Sequence, residues 1–148
     1  MITRNDTDIN INIQNILGTD CLINNNSPSA LRLLVHKGFP FSVFEALQKE
    51  VGLSQNQLSS ILGISTRTLT RRKNDNHFTA IESDILYRVA RVVASTVTIF
   101  GDTEKARLWL YKPNRGLGGE IPFNLLNTYI GSKQVEDVLR RIKYGIYS

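Results

Sequence analysis

A single cysteine, Cys21, serves the whole 148-residue chain, so no intramolecular disulfide can form and the cross-linked framework of a small secreted protein is excluded. Histidine is almost as scarce. His36 and His77 have neither a second histidine nor a carboxylate at ligand spacing, and no metal site is expected. Long hydrophobic runs are missing too: the longest uncharged helical stretch, Val92 to Gly101, is far below the roughly 20 residues that a membrane span requires. Met1 to Asp6 lacks the apolar run of a secretory leader, so a soluble, cytoplasmic protein is expected. No Ser/His/Asp or Cys/His arrangement has supporting neighbours, which argues against an enzyme. Gly116-Leu117-Gly118-Gly119 lacks the preceding strand and the following Lys-Ser/Thr of a phosphate-binding loop, so no cofactor of its own is implied.

What is present is ordinary globular composition with a basic excess. Hydrophobic residues make up 41% and charged residues 21%, enough for a core. Eighteen Lys and Arg against 13 Asp and Glu give a net charge of +5, which favours an anionic partner such as nucleic acid.

Residues 1–28 stand apart, with seven asparagines and only one basic residue against three acidic ones. Asn favours turns over helices, so this segment reads as a disordered arm that leaves the core untouched. From Ser29 onward the pattern is helical, and the expected fold class is all-α. Leu31, Leu34 and Val35 share one face of a short helix ended by Gly38 and Pro40. Ser42-Val43-Phe44-Glu45 has the form of a capping box opening a helix that runs to Gly52, and Thr79-Ala80-Ile81-Glu82 has the same form. The second box opens the longest helix, with Ile85, Val89, Val92, Val93, Thr96 and Phe100 as an apolar stripe opposite Asp84, Arg88, Arg91, Ser95 and Thr98. After Gly101, Asp102 or Thr103 caps a helix carrying Ala106, Trp109 and Leu110. A Gly-rich loop leads to a short apolar helix around Leu125 and Leu126. The last helix is expected from about Ser132 to Gly145, burying Val135, Val138, Leu139 and Ile142.

Leu53 to Lys73 carries the strongest functional signal. Ser54 and Gln57 make a capping box, Leu58, Ile61 and Leu62 form a buried side, and Gly63 stands where a tight turn needs positive φ. A second helix then starts at Ser65 with Leu69 as its inward anchor. This is a helix-turn-helix, and it turns Thr66, Arg67, Thr70 and Arg71 outward, where a major groove would lie. Gln55 joins them from the first helix, with Arg72 and Lys73 as phosphate contacts. Ser59 occupies the close contact between the two helices, where its hydroxyl can bond back to its own helix. The bland alternative is a helical hairpin with a solvated basic face. Such a module is complete near residue 78, so residues 79–148 imply a second task. The terminal Arg140-Arg141-Ile142-Lys143-Tyr144-Gly145-Ile146-Tyr147-Ser148 offers aromatics and arginines that either anchor an interface or pack back on the core.

Arg88-Val89-Ala90-Arg91-Val92, Phe100-Gly101-Asp102, Ala106, Trp109-Leu110, Pro113-Asn114-Arg115, Leu117-Gly118-Gly119, Pro122, Gly131 and Arg141-Ile142-x-Tyr144-Gly145-Ile146-Tyr147 together resemble the MbcA/ParS/Xre antitoxin family. The resemblance covers about residues 30–148. It implies an Xre-like helix-turn-helix domain at 29–78, occupying a palindromic operator as a homodimer and repressing its own operon. A toxin-binding and dimerisation domain at 79–148 would then block the NAD pocket of a RES-domain toxin. Carried over by position, the toxin-binding residues are Leu117, Gly118, Gly119, Arg141, Tyr144, Gly145 and Tyr147, and any NAD belongs to the partner. The alternative is a stand-alone dimeric repressor.

Overall fold

Helix ends in this chain are set by local side chains and turns, and most fall where those residues stand. The computed structural model describes Ile13 and residues 28–145. Helix α1 spans Pro28–Lys37 and α2 Phe41–Val51. Helices α3 (Gln55–Leu62) and α4 (Thr66–Asp75) form the helix-turn-helix. Helix α5 (Ala80–Phe100) is the longest, followed by α6 (Thr103–Tyr111). Two 3-10 turns, Arg115–Leu117 and Pro122–Leu125, lead into α7 (Tyr129–Lys143). Among the described residues the only β pairing is an isolated bridge between Asn114 and Glu120. The fold class is all-α.

The capping box at Ser54 forms, with Gln57 N–H donating to the Ser54 oxygen and the Gln57 side chain accepting from Ser54 N–H at 3.0 Å. The box at Thr79 and Glu82 forms likewise. Ser42, expected as the cap of α2, is not its N-cap. Pro40, in extended conformation, is the N-cap of α2, and Ser42 already lies inside the first turn. Phe41 is the first helical residue and packs in the core, its ring centroid 5.4 Å from that of Phe44 and 5.6 Å from that of Phe78. Helix α7 also starts earlier than expected. Thr128 caps it by accepting from Gly131 N–H, and a side chain at Gly131 would collide with the Leu125 carbonyl.

Helix α5 is the hub, packing against α1, α2, α3, α6 and α7. Its expected apolar stripe is too narrow. Leu86, Ala90 and Ala94 are buried as well as Val89, Val92, Val93 and Thr96, because the helix is covered from several sides. Arg88, expected on the solvent side, keeps only 20% of its side chain exposed and lies 3.6 Å from Asp84. One hydrophobic cluster runs from Phe39, Phe44 and Phe78 through Leu86 and Val93 to Leu110, Leu126 and Leu139. The N-terminal and C-terminal halves therefore share a core.

Ile142 of α7, expected to be buried, is only half-buried, and two further positions differ from expectation. Ile13, expected in an arm without core contacts, is helical and buried to 6% within the same cluster; the rest of residues 1–27 lies outside the described residues. Ser59 is 3% exposed, yet among the described residues its hydroxyl makes no hydrogen bond, neither to its own helix nor across to α4. Burying an unsatisfied hydroxyl costs about 1–3 kcal/mol, whereas a methyl group fits the same contact. Ser59→Ala is therefore expected to stabilise the protein by about 1 kcal/mol, raising the thermal unfolding midpoint by about 4 °C. A lower midpoint in a melting scan would mean that the hydroxyl has a partner.

Candidate functional site

The turn between α3 and α4 is made by Gly63, whose φ of 70° is the left-handed value that closes α3, with Gly63 N–H donating to the Ser59 and Ser60 carbonyls. Ser65 then caps α4 by accepting from Thr68 N–H at 3.1 Å. Leu69, 4% exposed, pins α4 inward. With Leu69 fixed, Thr66, Arg67, Thr70 and Arg71 fall on the exposed side, and Lys73 is exposed one turn further on. Gln55 is exposed in the first turn of α3. Thr70 donates its hydroxyl to the Thr66 carbonyl, which fixes that side chain along its own helix. The outward face expected from the sequence is thus assembled, and it carries two arginines with no ion pair among the described residues.

Arg72 sits differently. Its guanidinium meets Glu82 in a two-pronged pair, Nε to Oε1 at 2.7 Å and Nη2 to Oε2 at 3.1 Å, with 17% and 8% of the two side chains exposed. A guanidinium bound in this way is no open phosphate contact. It is a strut that fastens the C-terminal half of α4 to the first turn of α5. The same Glu82 carboxylate accepts from Thr79 N–H at 2.9 Å, so one acid closes the cap of α5 and holds α4. Sequence reasoning saw the cap and missed the strut, because the partner lies ten residues away across a turn.

Burial pushes the Glu82 carboxyl upward, but the Arg72 hydrogen bonds and charge, with the Thr79 N–H, outweigh it and the pKa falls below the usual carboxylate value. The Arg72 hydrogen bond to Glu82 correspondingly raises the guanidinium pKa.

At the other end of α5, α6 is tied to the N-terminal half by side chains reaching to the end of α2. Arg107 donates to the Glu50 carbonyl at 2.7 and 2.9 Å and to Lys49 at 3.0 Å, and Tyr111 donates its hydroxyl to Val51 at 2.9 Å. These are the carbonyls a helix leaves unpaired at its C-terminus, where a cation also meets the favourable end of the dipole.

The C-terminal candidates fall on two neighbouring elements. Asn114 accepts from Gly116 N–H at 2.8 Å and starts the turn Arg115–Leu117, after which Gly118 and Gly119 continue at φ 67° and 87°. A side chain at Gly116 would press on Val138 of α7, so the loop lies directly on that helix. Leu117 is half-buried, whereas Gly118 and Gly119 are exposed with open space around them. Arg141 follows Val138 by about one turn of α7 and is exposed. Tyr144 caps that helix with 62% of its surface exposed and the Lys143 ammonium 5.2 Å from its ring. Gly145 is exposed at φ 66°. Tyr144 is therefore not a core residue. Tyr147 lies outside the described residues, as does Cys21.

A helix-turn-helix with an open basic face, joined through one long helix to a second helical surface, defines a two-surface regulatory protein of the DNA-binding class. Residues 30–91 match the antitoxin Xre-like helix-turn-helix domain, and residues 95–145 match the antitoxin Xre/MbcA/ParS C-terminal toxin-binding domain. The two matches meet inside α5. The chain is 34% identical over 116 residues to the antitoxin Xre of Yersinia enterocolitica, covering 77% of this chain and 78% of that one. It is 33% identical over 120 residues to the antitoxin Xre of Photorhabdus laumondii (80% and 81%) and 40% over 83 residues to that of Pseudomonas putida (55% and 52%). The chain belongs to the Xre antitoxin family, whose two domains are regulatory rather than catalytic. No helix among the described residues is long and apolar enough to cross a membrane.

Glu82 provides the test of this arrangement. Because its carboxyl is lowered in the folded state, its contribution is fully present above the unfolded-state value, about 4.3, and is lost as pH falls through the folded value. Glu82→Gln is expected to cost about 2 kcal/mol near neutral pH, with the gap to the parent closing below about pH 4. Denaturant unfolding at several pH values measures this; a gap of constant size would show that the carboxylate charge is not what holds α4.

Proposed function

We propose that this antitoxin represses its own operon as a cytoplasmic homodimer on a palindromic operator, and that it neutralises a RES-domain, NAD-consuming toxin by seating its C-terminal surface over the toxin's NAD pocket. The observation that carries the reading is the separation of two exposed surfaces. The α4 face presents Thr66, Arg67, Thr70 and Arg71, and the α7 end presents Arg141 and Tyr144 beside the Leu117 to Gly119 loop.

On the DNA side, Arg67 and Arg71 read base edges, Thr66, Thr70 and Gln55 assist, and Lys73 contacts phosphate. On the toxin side, Leu117, Gly118, Gly119, Arg141, Tyr144, Gly145 and Tyr147 form the contact. Exposed tyrosine and arginine side by side are the residue types that dominate binding energy at protein interfaces. The two activities divide near residue 79, with α5 common to both.

Arg67→Ala and Arg71→Ala are each expected to weaken operator binding by about 1–3 kcal/mol, whereas Lys73→Ala should chiefly flatten its salt dependence. Gel shifts across a salt series check this, and unchanged binding by all three variants would remove α4 from the DNA. Removal of residues 144–148 is expected to abolish neutralisation while sparing the fold and operator binding. Co-expression with the product of the adjacent reading frame, following growth and cellular NAD, tests it. Full protection by the shortened chain would place the toxin elsewhere, first on the Gly116 to Gly119 loop.

A further inference from the structure

A groove of about 200 Å³ runs between α5 and the C-terminal half of α7. Arg91 forms one wall and Arg140 and Lys143 the other, with Ile99 and Leu139 among its apolar lining and Tyr144 at its end. Among the described residues Glu136 is the one carboxylate lining it, so cations exceed acids there by three to one. The pairs that exist are loose: Arg91 stands 3.7 Å and Lys133 3.8 Å from the same Glu136. Among the described residues Arg140 reaches only Asp137, at 3.2 Å, and both side chains are more than half exposed. Arg141, beside Arg140 and Tyr144 in the adjoining hollow, adds a further cation. Each guanidinium carries five N–H donors, and most of these have no acceptor among the described residues.

We infer that this groove is the seat of an acidic segment of the toxin, whose Asp or Glu side chains pair with Arg91, Arg140 and Lys143 while Tyr144 packs over the segment. The inference rests on the toxin-binding reading above and names the chemistry of the contact. Three observations favour a protein acid over a nucleic-acid backbone. Glu136 and Asp137 stand among the cations and would repel a continuous row of phosphates, whereas a partner with discrete carboxylates can avoid them. The mixture of arginine, tyrosine and apolar lining is that of a protein interface. All the lining except Arg91 falls within residues 95–145, the match to the toxin-binding domain.

Opposite charge across an interface acts mainly on encounter, so the signature is kinetic. The full-length chain and the toxin encoded by the adjacent reading frame are mixed and the association rate is followed against ionic strength. The double variant Arg140→Glu and Lys143→Glu is expected to associate about tenfold more slowly and to lose most of its salt dependence. The neutral pair Arg140→Gln and Lys143→Gln should fall between the two. Arg67→Ala with Arg71→Ala should leave the rate unchanged. Circular dichroism and operator gel shifts on each variant separate loss of charge from loss of fold, and the neutral pair carries the test if the charge reversal unfolds.

Failure of the parent chain to capture the toxin would overturn the functional reading and this inference together. Capture by the parent with unchanged rates for both groove variants would overturn this inference alone. Normal capture with lost operator binding would assign the groove to DNA and overturn it as well.

Discussion

Everything in this fold leans on α5, a helix of 21 residues and roughly 30 Å that is covered on most of its circumference. A helix buried on several faces must present small or apolar side chains in nearly every direction, and Ala90, Ala94, Val89, Val92 and Val93 do so through its middle. Its two ends are then free to carry different tasks. At the N-terminal end the Thr79 cap and the Arg72–Glu82 pair fix α4, while at the C-terminal half α6 and α7 pack on its sides. A rod with both functional surfaces bolted to it has little room for one half to move without the other.

That rigidity bears on how the two matched domains should be understood. Their shared boundary falls within α5, where no linker exists, and the core passes through it without interruption. Arg107 and Tyr111 add a second connection by satisfying the last carbonyls of α2 from α6, so the halves are joined at two places. Division by sequence family and division by folding unit therefore differ here. The exposed face of α4 and the exposed end of α7 are thus both packed, through α5, onto one continuous core.

Local rules read well from the sequence and distant contacts did not. The caps at Ser54 and Thr79 and the turn at Gly63 depend on neighbours within four residues, so spacing alone revealed them, and it narrowed the cap of α6 to Asp102 or Thr103, of which the structure uses Asp102. The outward face of α4 followed from Leu69 for the same reason. Ser42 misled because a capping pattern cannot tell that Phe41 is needed in the aromatic cluster with Phe44 and Phe78. The start of α7 was missed because Tyr129 and Ile130 are exposed and give no apolar period. Arg72 looked like a phosphate contact because nothing local pairs it with Glu82. The groove cations lay in plain view as Arg91, Arg140 and Lys143, but only the packing of α7 along α5 brings them together.

The motif positions behind the family resemblance are, in this structure, mostly makers of shape. Gly101 and Asp102 end one helix and cap the next, Asn114 sets the turn before the glycines, and Gly131 lets α7 approach the Leu125 carbonyl. Gly118 and Gly119 meet nothing that a side chain would strike, so their positive φ is reason enough for glycine. Such residues set the path of the chain and the packing of its helices in this fold. Contact with a partner falls instead to the exposed side chains that this scaffold carries. Of the cations along the α5–α7 groove, Arg91 is itself one of those motif positions, whereas Arg140 and Lys143 are not, and neither of the latter two is part of the core. The charge on Arg140 and Lys143 can therefore be changed without touching the residues that shape the loop and the start of α7, which separates a test of partner recognition from a test of fold.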